Sequence, residues 1–328
     1  MGKRIFTWLP TFVLLAICFP AQAQQRLKMP RVGLLRLDTP SSPAARQGLR
    51  EFRQGLKDLG YTEEKNIALE IRWAEDKPDR LPALAAELVH LKVDVIVTHG
   101  PAGIRAAKEA TTLIPIVMGR MDDVVERGFV VSLARPGGNI TGLSFQTGEL
   151  SGKWLELLKE VQPKVSRVAV LRDESATVSQ IQTVRDVGRA LGLQLEIIKV
   201  LIPGELDHAF QSIKKRRAEG LLILGSPVIT AHRARLAELA TKYRLPAIYY
   251  HEGFAEAGGL LAYGPNQSEF SWHRAAVFVD KILKGAKPAD LPIEQPKKFD
   301  FIINLKAAKQ IGLTIPPNVL ARADRVIR

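Results

Sequence analysis

The chain has 328 residues, of which 46% are hydrophobic and 25% charged, and its formal net charge is +13 at pH 7. These fractions are typical of a soluble globular protein, and the length leaves room for two domain-sized cores. The single cysteine, Cys18, lies in the N-terminal leader described next. A mature chain without it excludes disulfides, a thiolate nucleophile and cysteine metal sites.

The first 23 residues have the pattern of a secretory signal peptide. Lys3 and Arg4 precede an apolar run from Ile5 to Phe19, and Ala21-Gln22-Ala23 fits a small-x-small cleavage site. We therefore predict cleavage after Ala23 and a periplasmic location. A membrane helix is the alternative, but the run is short for a span of roughly 20 residues. Lipidation of Cys18 is disfavoured because lipoprotein acylation sites have a small residue immediately before the cysteine, and here that residue is Ile17.

Removing Lys3 and Arg4 from the charge of +13 leaves +11. A basic excess of this size indicates nucleic acid, an anionic surface or anionic ligands as possible partners. The densest basic run, residues 214–217, closes a predicted helix without interleaved aromatic residues for base stacking. We interpret it as a solvated face and expect no nucleic-acid partner.

The first half of the mature chain alternates strands and helices. Strands are predicted at residues 31–37, 67–73, 94–98 and 114–118, and helices at residues 43–59, from 79, 104–110 and 124–134. Ser42 is a candidate N-cap before Pro43. Apolar runs without polar alternation favour parallel strands covered on both faces.

The pattern begins again after a short strand at residues 140–144 that leaves the first lobe. Strands are predicted at residues 167–171, 193–200, 221–224 and 246–250, with helices between them and one before them around Trp154. Residues 258–264 look like a second crossing between lobes, followed by a helix at residues 268–283, an extended connector at 284–297 and a strand at 299–303. The fold class is therefore α/β, with two Rossmann-like lobes joined by a multi-strand hinge.

We expect the N-terminal lobe to hold residues 30–143 plus about 265–290, and the C-terminal lobe residues 144–262 plus about 291–328. A hinge of this kind implies closure of the lobes around a ligand.

Catalytic signatures are largely absent: there is no G-x-S-x-G, no P-loop and no H-E-x-x-H. The glycine-rich run at residues 137–142 follows a helix and opens a strand, the reverse of a dinucleotide fingerprint. His251-Glu252 could act as a base or bind a metal, but neighbouring side chains in an extended chain point to different sides. Asp122-Asp123 suggests a dicarboxylate metal site, but because no third carboxylate is nearby an amine-binding or helix-capping role is favoured. We expect no catalysis, no metal and no cofactor.

Loops at the carboxyl ends of parallel strands form the usual crevice for small ligands. The ligand-binding candidates there are Asp38, Thr39, Ser41, His99, Gly100, Arg120, Asp123, Asp173, Ser175, Ser226, Tyr250, His251 and Glu252. Together they offer hydroxyls and backbone amides for a carboxylate, acids for an amine, and an aromatic ring for an apolar body.

Long stretches of the chain resemble one family, the ABC-transporter substrate-binding proteins of the tryptophan/tyrosine-binding type, which have the type I periplasmic binding protein fold. The matching segments are FRQGLKDLGY (52–61), RWAEDKPDRLPALAAELV (72–89), SLARPGGNITGLS (132–144), AHRARLAELA (231–240), EAGGLLAYGP (256–265), VDKILKGAKPADLPIEQPKKF (279–299) and INLKAAKQIGLTIPP (303–317). The resemblance implies an extracytoplasmic receptor that delivers a small solute to a membrane permease with a cytoplasmic ATPase.

The departures from the family pattern fall at the predicted pocket. Family members often have Gly-Asp-Pro where this chain has Asp122-Asp123-Val124, so only Asp123 carries over. They often have Asn-Pro at Asp173-Glu174, Asp-Pro at Ser226-Pro227, and Asn or Asp after Ser144, where this chain has Phe145. The resemblance therefore adds Ser144 and Phe145 to the candidate site and leaves the solute open.

The sequence predicts a monomeric solute-binding component of an ABC importer that captures a small polar metabolite, an amino acid or a related compound. Two other readings stay open. One is an exported α/β enzyme that uses His251, Glu252 or Asp123. The other is a sensor that presents the same closing lobes to a receptor instead of a permease.

Overall fold

A computed structural model describes residues 2, 29–145, 147–201, 204–266 and 271–328. The predicted signal peptide, its cleavage site and Cys18 lie outside the described residues, apart from Gly2. No helix in the described part of the chain is long and apolar enough to cross a membrane.

Five parallel strands in the order β2-β1-β3-β4-β5 form the first sheet. Its elements are β1 (Arg31–Arg36), α1 (Pro43–Asp58), β2 (Ala68–Trp73), α2 (Leu81–His90), β3 (Val95–Thr98), α3 (Gly100–Ala110), β4 (Ile116–Asp122) and β5 (Ile140–Phe145). Alternate residues of the central strands point to opposite faces. Leu34 and Val97 pack with α1, whereas Leu35 and Ile96 pack with α2 and α3.

Seven strands in the order β12-β11-β10-β9-β8-β6-β7 form the second sheet. β10 and β11 pair antiparallel and the other described neighbours pair parallel, so β11 and β12 run opposite to the other five strands. Its elements are α4 (Thr147–Val161), β6 (Arg167–Arg172), α5 (Val178–Ala190), β7 (Gln194–Lys199), α6 (Leu206–Lys215), β8 (Gly220–Ile223), α7 (Pro227–Ala231), α8 (Arg233–Lys242), β9 (Ala247–Tyr249), α9 (Glu252–Glu256), β10 (Leu261–Pro265), β11 (Phe299–Asn304), α11 (Leu305–Ile311), α12 (Pro317–Leu320) and β12 (Arg325–Ile327). One apolar cluster with Trp154, Phe210 and Tyr249 unites this unit.

Helix α10 (Trp272–Leu283) belongs to the first sheet although it follows β10 in the chain. Its Ala276, Phe278 and Val279 pack beside α1 on the face that carries Leu34. The chain thus passes between the sheets three times: after β5, after β10 and after α10. We call the five-stranded sheet with α1, α2, α3 and α10 the first lobe, and the seven-stranded sheet with its helices the second lobe.

The α/β architecture and the two parallel sheets are confirmed, and Ser42 caps α1 by accepting a hydrogen bond from the Ala45 amide at 3.1 Å. The helix predicted at residues 124–134 is wrong, because the structure has only turns there. Asp123 and Gly128 have positive φ angles of 47° and 68°, which a continuous right-handed helix does not contain. The buried side chains of this segment, Val124, Phe129 and Val130, also lack helical spacing.

Candidate functional site

A cavity of about 170 Å³ lies between the two lobes at the carboxyl ends of their strands. Nine of the fifteen candidate residues line it: Asp38, His99, Gly100, Arg120, Phe145, Ser226, Tyr250, His251 and Glu252. The first five come from the first lobe or its last strand, and the other four come from the second lobe. The topology therefore brings together loops that are far apart in the chain, as expected for ligand sites in sheets of this kind.

Arg36 is the most buried charged side chain of the cavity wall, with a residue exposure of 2%. Its Nε and Nη2 donate to the two carboxylate oxygens of Asp38 at 3.0 and 2.6 Å. Its guanidinium carbon lies 4.4 Å from the ring centroid of Trp272 and 5.4 Å from that of Trp73. Burial raises the pKa of Asp38, but the hydrogen bonds from Arg36 together with the nearby charges of His99 and Arg36 outweigh burial and hold the pKa below its usual value.

The third guanidinium nitrogen of Arg36, Nη1, is buried and has no hydrogen-bond partner among the described residues. The same is true of Nδ1 of His99, whose ring meets Trp272 edge to face at 5.2 Å. Burial and the neighbouring Arg36 charge lower the pKa of His99 to about 4, so its imidazole is neutral at pH 7. Buried polar atoms without partners are uncommon and call for an explanation.

Arg120 reaches the cavity because β4 is irregular. The pairing of β4 with β5 shifts between Met118 and Met121, so two residues of β4 face one residue of β5. Such a bulge redirects side chains and is common beside functional sites. Nη1 of Arg120 lies 3.4 Å from Nε2 of His251 in the opposite lobe, and burial lowers the pKa of Arg120.

The second lobe contributes a wall built around Tyr250. Its hydroxyl donates to the Ser226 carbonyl at 3.2 Å and also contacts the Thr230 hydroxyl, and burial raises its pKa to about 12. A Cβ atom on Gly225 would lie 2.5 Å from Cζ of Tyr250, so the glycine is what lets the ring lie against this turn. Tyr250 therefore presents a flat, protonated phenol to the cavity.

His251 and Glu252 begin helix α9, which the sequence analysis did not predict. Nδ1 of His251 accepts from the Gly253 amide at 3.0 Å, and Nε2 is the nitrogen that faces Arg120. Burial, followed by repulsion from Glu256, raises the pKa of Glu252. The pair thus places one imidazole and one carboxylate at the cavity rim.

Six candidate residues lie outside the cavity lining: Thr39, Ser41, Asp123, Ser144, Asp173 and Ser175. The Thr39 and Ser41 hydroxyls contact each other at 3.3 Å near the start of α1. Asp173 accepts hydrogen bonds from Ser175 and from the Ser226 hydroxyl, and so supports the wall instead of lining it. Ser144 is 1% exposed, and its amide donates to the Glu294 carbonyl at 2.9 Å.

Asp123 joins the two lobes. It accepts from the Thr147 amide at 3.1 Å, from the Thr147 hydroxyl, and from the Thr177 hydroxyl at 3.3 Å. Two neighbours in the same turn also cross between lobes. Glu126 accepts from the amide and hydroxyl of Ser179, and Nη2 of Arg127 donates to the Ser175 carbonyl. We call these contacts of Asp123, Glu126 and Arg127 the interlobe latch.

Several cavity residues escaped the sequence analysis. Arg36 lies in an apolar strand pattern, and Trp272 lies at the start of the helix that follows the chain's second passage between the lobes. The other lining residues that were missed are Gln47, Glu51, Asp76, Thr147, Thr230 and Arg233. Arg36 did carry a signal, because a charged residue at the end of a buried strand, two residues before Asp38, needs a partner. Trp272 carried none, since its position depends on how α10 returns to the first lobe.

Within the described ranges, no group of three histidine, cysteine or acidic side chains could hold a metal ion. The cavity instead offers buried guanidinium and imidazole groups, hydroxyls, and aromatic rings from both lobes. Such a mixture suits reversible binding of a small polar molecule that has an apolar part.

Comparison with known proteins gives a consistent result. The family model of ABC transporter substrate binding proteins matches residues 34–327. The tyrosine-binding protein of Clostridioides difficile strain R20291 is 26% identical to this chain over 289 residues, which is 87% of this chain and 82% of that protein.

Solved structures show the same fold. A conserved domain protein from Vibrio cholerae O1 biovar eltor has 27% identity and a TM-score of 0.84, with 91% of this chain and 100% of that chain covered. A domain from Streptococcus pneumonia in complex with L-Trp has 23% identity and a TM-score of 0.82, with 91% and 99% covered. A leucine binding protein from Thermotoga maritima, at 14% identity and a TM-score of 0.55, covers 80% of this chain and 78% of its own.

Proposed function

This chain belongs to the family of ABC transporter substrate binding proteins, and from that premise we propose that it captures an amino acid or a related small metabolite between its lobes for import. Proteins of this family bind solutes and are not enzymes, so the prediction of no catalysis is confirmed by the family. They work outside the cytoplasm with a membrane permease and its ATPase. We propose delivery to the periplasm by a signal peptide cleaved after Ala23, and a monomeric state.

The observation that carries this proposal is the cavity shared by the two lobes. It is lined by Arg36, His99 and Trp272 from one side and by Tyr250 and His251 from the other. A ligand held by both sides would stabilise the conformation in which the lobes meet, because it would gain contacts that neither lobe offers alone. Because the solute would bind the closed conformation more tightly than the open one, binding would close the lobes around it.

The relative from Clostridioides difficile is named as a tyrosine-binding protein, and the Streptococcus structure holds L-Trp. These names support an amino acid or a close chemical relative as the solute. The buried arginines and the rings of Trp272 and Tyr250 suit a solute with a carboxylate and an apolar part.

Thermal unfolding against a library of amino acids and small organic acids tests the binding proposal. A solute present at about 100 times its Kd should stabilise the folded chain by about 2.7 kcal/mol through mass action, which raises the melting temperature by several degrees. A library that leaves the melting temperature unchanged, with isothermal calorimetry also silent, would contradict the proposal.

The transport step needs a separate test. We expect the liganded protein to stimulate ATP hydrolysis by its permease complex in proteoliposomes, and the unliganded protein to stimulate it less. If the liganded protein does not stimulate ATP hydrolysis by the permease complex but binds a receptor ectodomain in a ligand-dependent way, the sensor hypothesis is favoured.

A further inference from the structure

We propose that the cavity is built for a carboxylate with a flat apolar body, that Arg36 binds the carboxylate in the first lobe, and that an amino group on the solute is dispensable. This inference deepens the proposed function and depends on it. It rests on the geometry of Arg36, on the two aromatic walls, and on how three acidic groups of the cavity are already engaged.

The Arg36 guanidinium is fixed in orientation with one donor group left over. Asp38 occupies Nε and Nη2, and the ring centroids of Trp272 and Trp73 lie 4.4 and 5.4 Å from the guanidinium carbon. Nη1 remains buried without an acceptor in the described part of the chain. An unsatisfied donor on a buried cation is costly. A carboxylate oxygen supplied by the solute would satisfy it with a charge-assisted hydrogen bond.

His99 lies beside the Arg36 guanidinium and adds a second polar atom to this corner of the cavity. Its Nδ1 is also buried and lacks a partner among the residues described. Because the neutral imidazole carries one proton on either nitrogen, Nδ1 can donate to the second carboxylate oxygen or accept from a protonated solute group. The corner thus provides two polar atoms that await a small planar polar group.

The apolar part of the cavity is set by two rings that lie on glycines. A Cβ atom on Gly48 would lie 2.7 Å from Nε1 of Trp272, and one on Gly119 would lie 2.5 Å from its Cζ3. Gly225 plays the corresponding role for Tyr250 in the second lobe. Any larger residue at these positions would displace a ring that lines the cavity. The chain therefore keeps space for a flat body between the two walls.

Three of the acids that line the cavity are already occupied by protein donors. Both oxygens of Asp38 accept from Arg36, and Asp122 accepts from Arg127 at 2.8 Å. Glu51 accepts from Gln47 at 3.0 Å and from the Trp272 amide at 3.3 Å. An ammonium group would have to compete with these donors or bind at Asp76 or Glu252, which also line the cavity, whereas a carboxylate finds Nη1 of Arg36 already oriented. For this reason the amino group contributes less than the carboxylate.

Calorimetry with three matched solutes tests the inference: 3-phenylpropionate, phenylalanine and phenethylamine, with their indole counterparts as a second set. We expect the first two to bind with Kd values within about tenfold of each other, and loss of the carboxylate to weaken binding at least about 100-fold. Phenethylamine binding as tightly as phenylalanine would overturn the inference.

The failures of the two proposals are distinguishable. If none of these solutes binds but another member of the library raises the melting temperature, the ligand class is wrong and the proposed function stands. If nothing in the library binds, the proposed function fails as well.

Two variants locate the binding groups. Arg36→Lys keeps the charge but loses the fork that serves Asp38 and the solute together, so affinity should fall about 10- to 100-fold. Arg53→Lys, in the exposed pair with Glu63, is the matched control and should leave affinity unchanged. An Arg36→Lys protein that binds 3-phenylpropionate normally would contradict the assignment.

Because a change at a buried ion pair can also disturb folding, Gly48→Ala provides an independent test. The added methyl favours helix α1 but displaces Trp272. We expect a folded protein whose affinity for 3-phenylpropionate falls about tenfold or more. Gly138→Ala, whose added Cβ would meet no atom within 4 Å, is the control. Unchanged affinity in Gly48→Ala would show that the Trp272 ring does not limit the space available to the solute.

Discussion

The end of β1 and the turn after β4, two parts of the first lobe, are held in different ways. In the first lobe, Arg36 and Asp38 are two residues apart and form a bidentate pair that is complete within that lobe. In the turn after β4, by contrast, Asp123 and Glu126 accept from Thr147, Thr177 and Ser179 of the other lobe. Arg127 pairs with Asp122 in its own lobe and also donates to the Ser175 carbonyl of the other. The first arrangement does not require the lobes to meet, whereas the second does.

This difference separates recognition from closure. A wall whose polar groups are oriented within one lobe can bind a solute before the lobes meet, with little reorganisation. Contacts that exist only between lobes add to the stability of the closed form and thereby slow the release of the solute. Changes at Arg36 and Asp38 should alter what is bound, and changes at the latch should alter how long it is held.

The largest expected effect is on stability, at Asp38. In Asp38→Asn the Arg36 cation stays buried without its counter-ion, which should lower the free energy of unfolding by about 3–5 kcal/mol in urea titrations. The control is Glu63→Gln, because the Arg53–Glu63 pair has side-chain exposures of 46% and 36% and should cost below about 1 kcal/mol. Equal losses in the two variants would mean that the Arg36–Asp38 pair is as weak as a surface pair.

Gly225→Ala tests how the wall formed by the second lobe depends on the position of the Tyr250 ring. The added Cβ would lie 2.5 Å from Cζ of Tyr250, so the ring must move and overpacking should destabilise the chain by about 1–3 kcal/mol. Solute affinity should fall as well, since the displaced ring lines the cavity. Thermal unfolding with and without solute measures both effects. Wild-type values for each would show that Tyr250 has space elsewhere.

His99 gives a pH dependence to the first-lobe wall. Its folded-state pKa of about 4 lies below the unfolded value of 6.5, so the unfolded chain takes up the proton first. The stability that the neutral His99 ring contributes to the folded state is fully present above pH 6.5 and is lost as the pH falls towards 4. The free energy of unfolding then changes by at most about 1.4 kcal/mol per pH unit. Urea titrations between pH 7 and 4.5 should show a shallower decline in His99→Gln, whereas the exposed His90→Gln should follow the wild type.

The smallest expected effect is at the latch. Ser179→Ala removes the hydroxyl that donates to Glu126, a contact with a net worth of about 0.5–1.5 kcal/mol. Solute affinity should fall roughly 2- to 10-fold, mainly through faster dissociation in stopped-flow measurements. Glu174→Gln, in a pair with Lys199 whose glutamate is 71% exposed, is the control. A lower association rate with unchanged dissociation would place Ser179 outside the closure contacts.

Local pattern was enough for most of the framework. Apolar runs identified β1 to β9 and β11, whereas the segment of β10 was predicted only as a crossing between lobes and β12 was not predicted. Ser42 before Pro43 marked the start of α1 as the structure has it. It failed at residues 124–134, where helix-forming residues are present but their side chains form the latch. Helix propensity is a weak preference, and tertiary contacts of Asp123 and Arg127 override it.

The candidate site could be predicted in location but only partly in membership. Strand-end residues such as His99, Arg120 and His251 were found because parallel sheets place these ends together. Asp173 has the same sequence signature, yet it holds Ser226 and lies behind the wall. A strand-end position fixes where a residue stands but not which hydrogen bonds its side chain makes.

The sequence by itself determined the order of the elements, the chemical types at the strand ends and the resemblance to a family, because each of these depends on residues close together in the chain. Only the tertiary structure decided that Arg120 meets His251 across 131 positions, that Trp272 returns to cover Arg36, and that Nη1 of Arg36 is left without a described partner. The first contact arises where the two lobes meet and the second where α10 returns to the first lobe, and no local periodicity encodes which side chains then face each other.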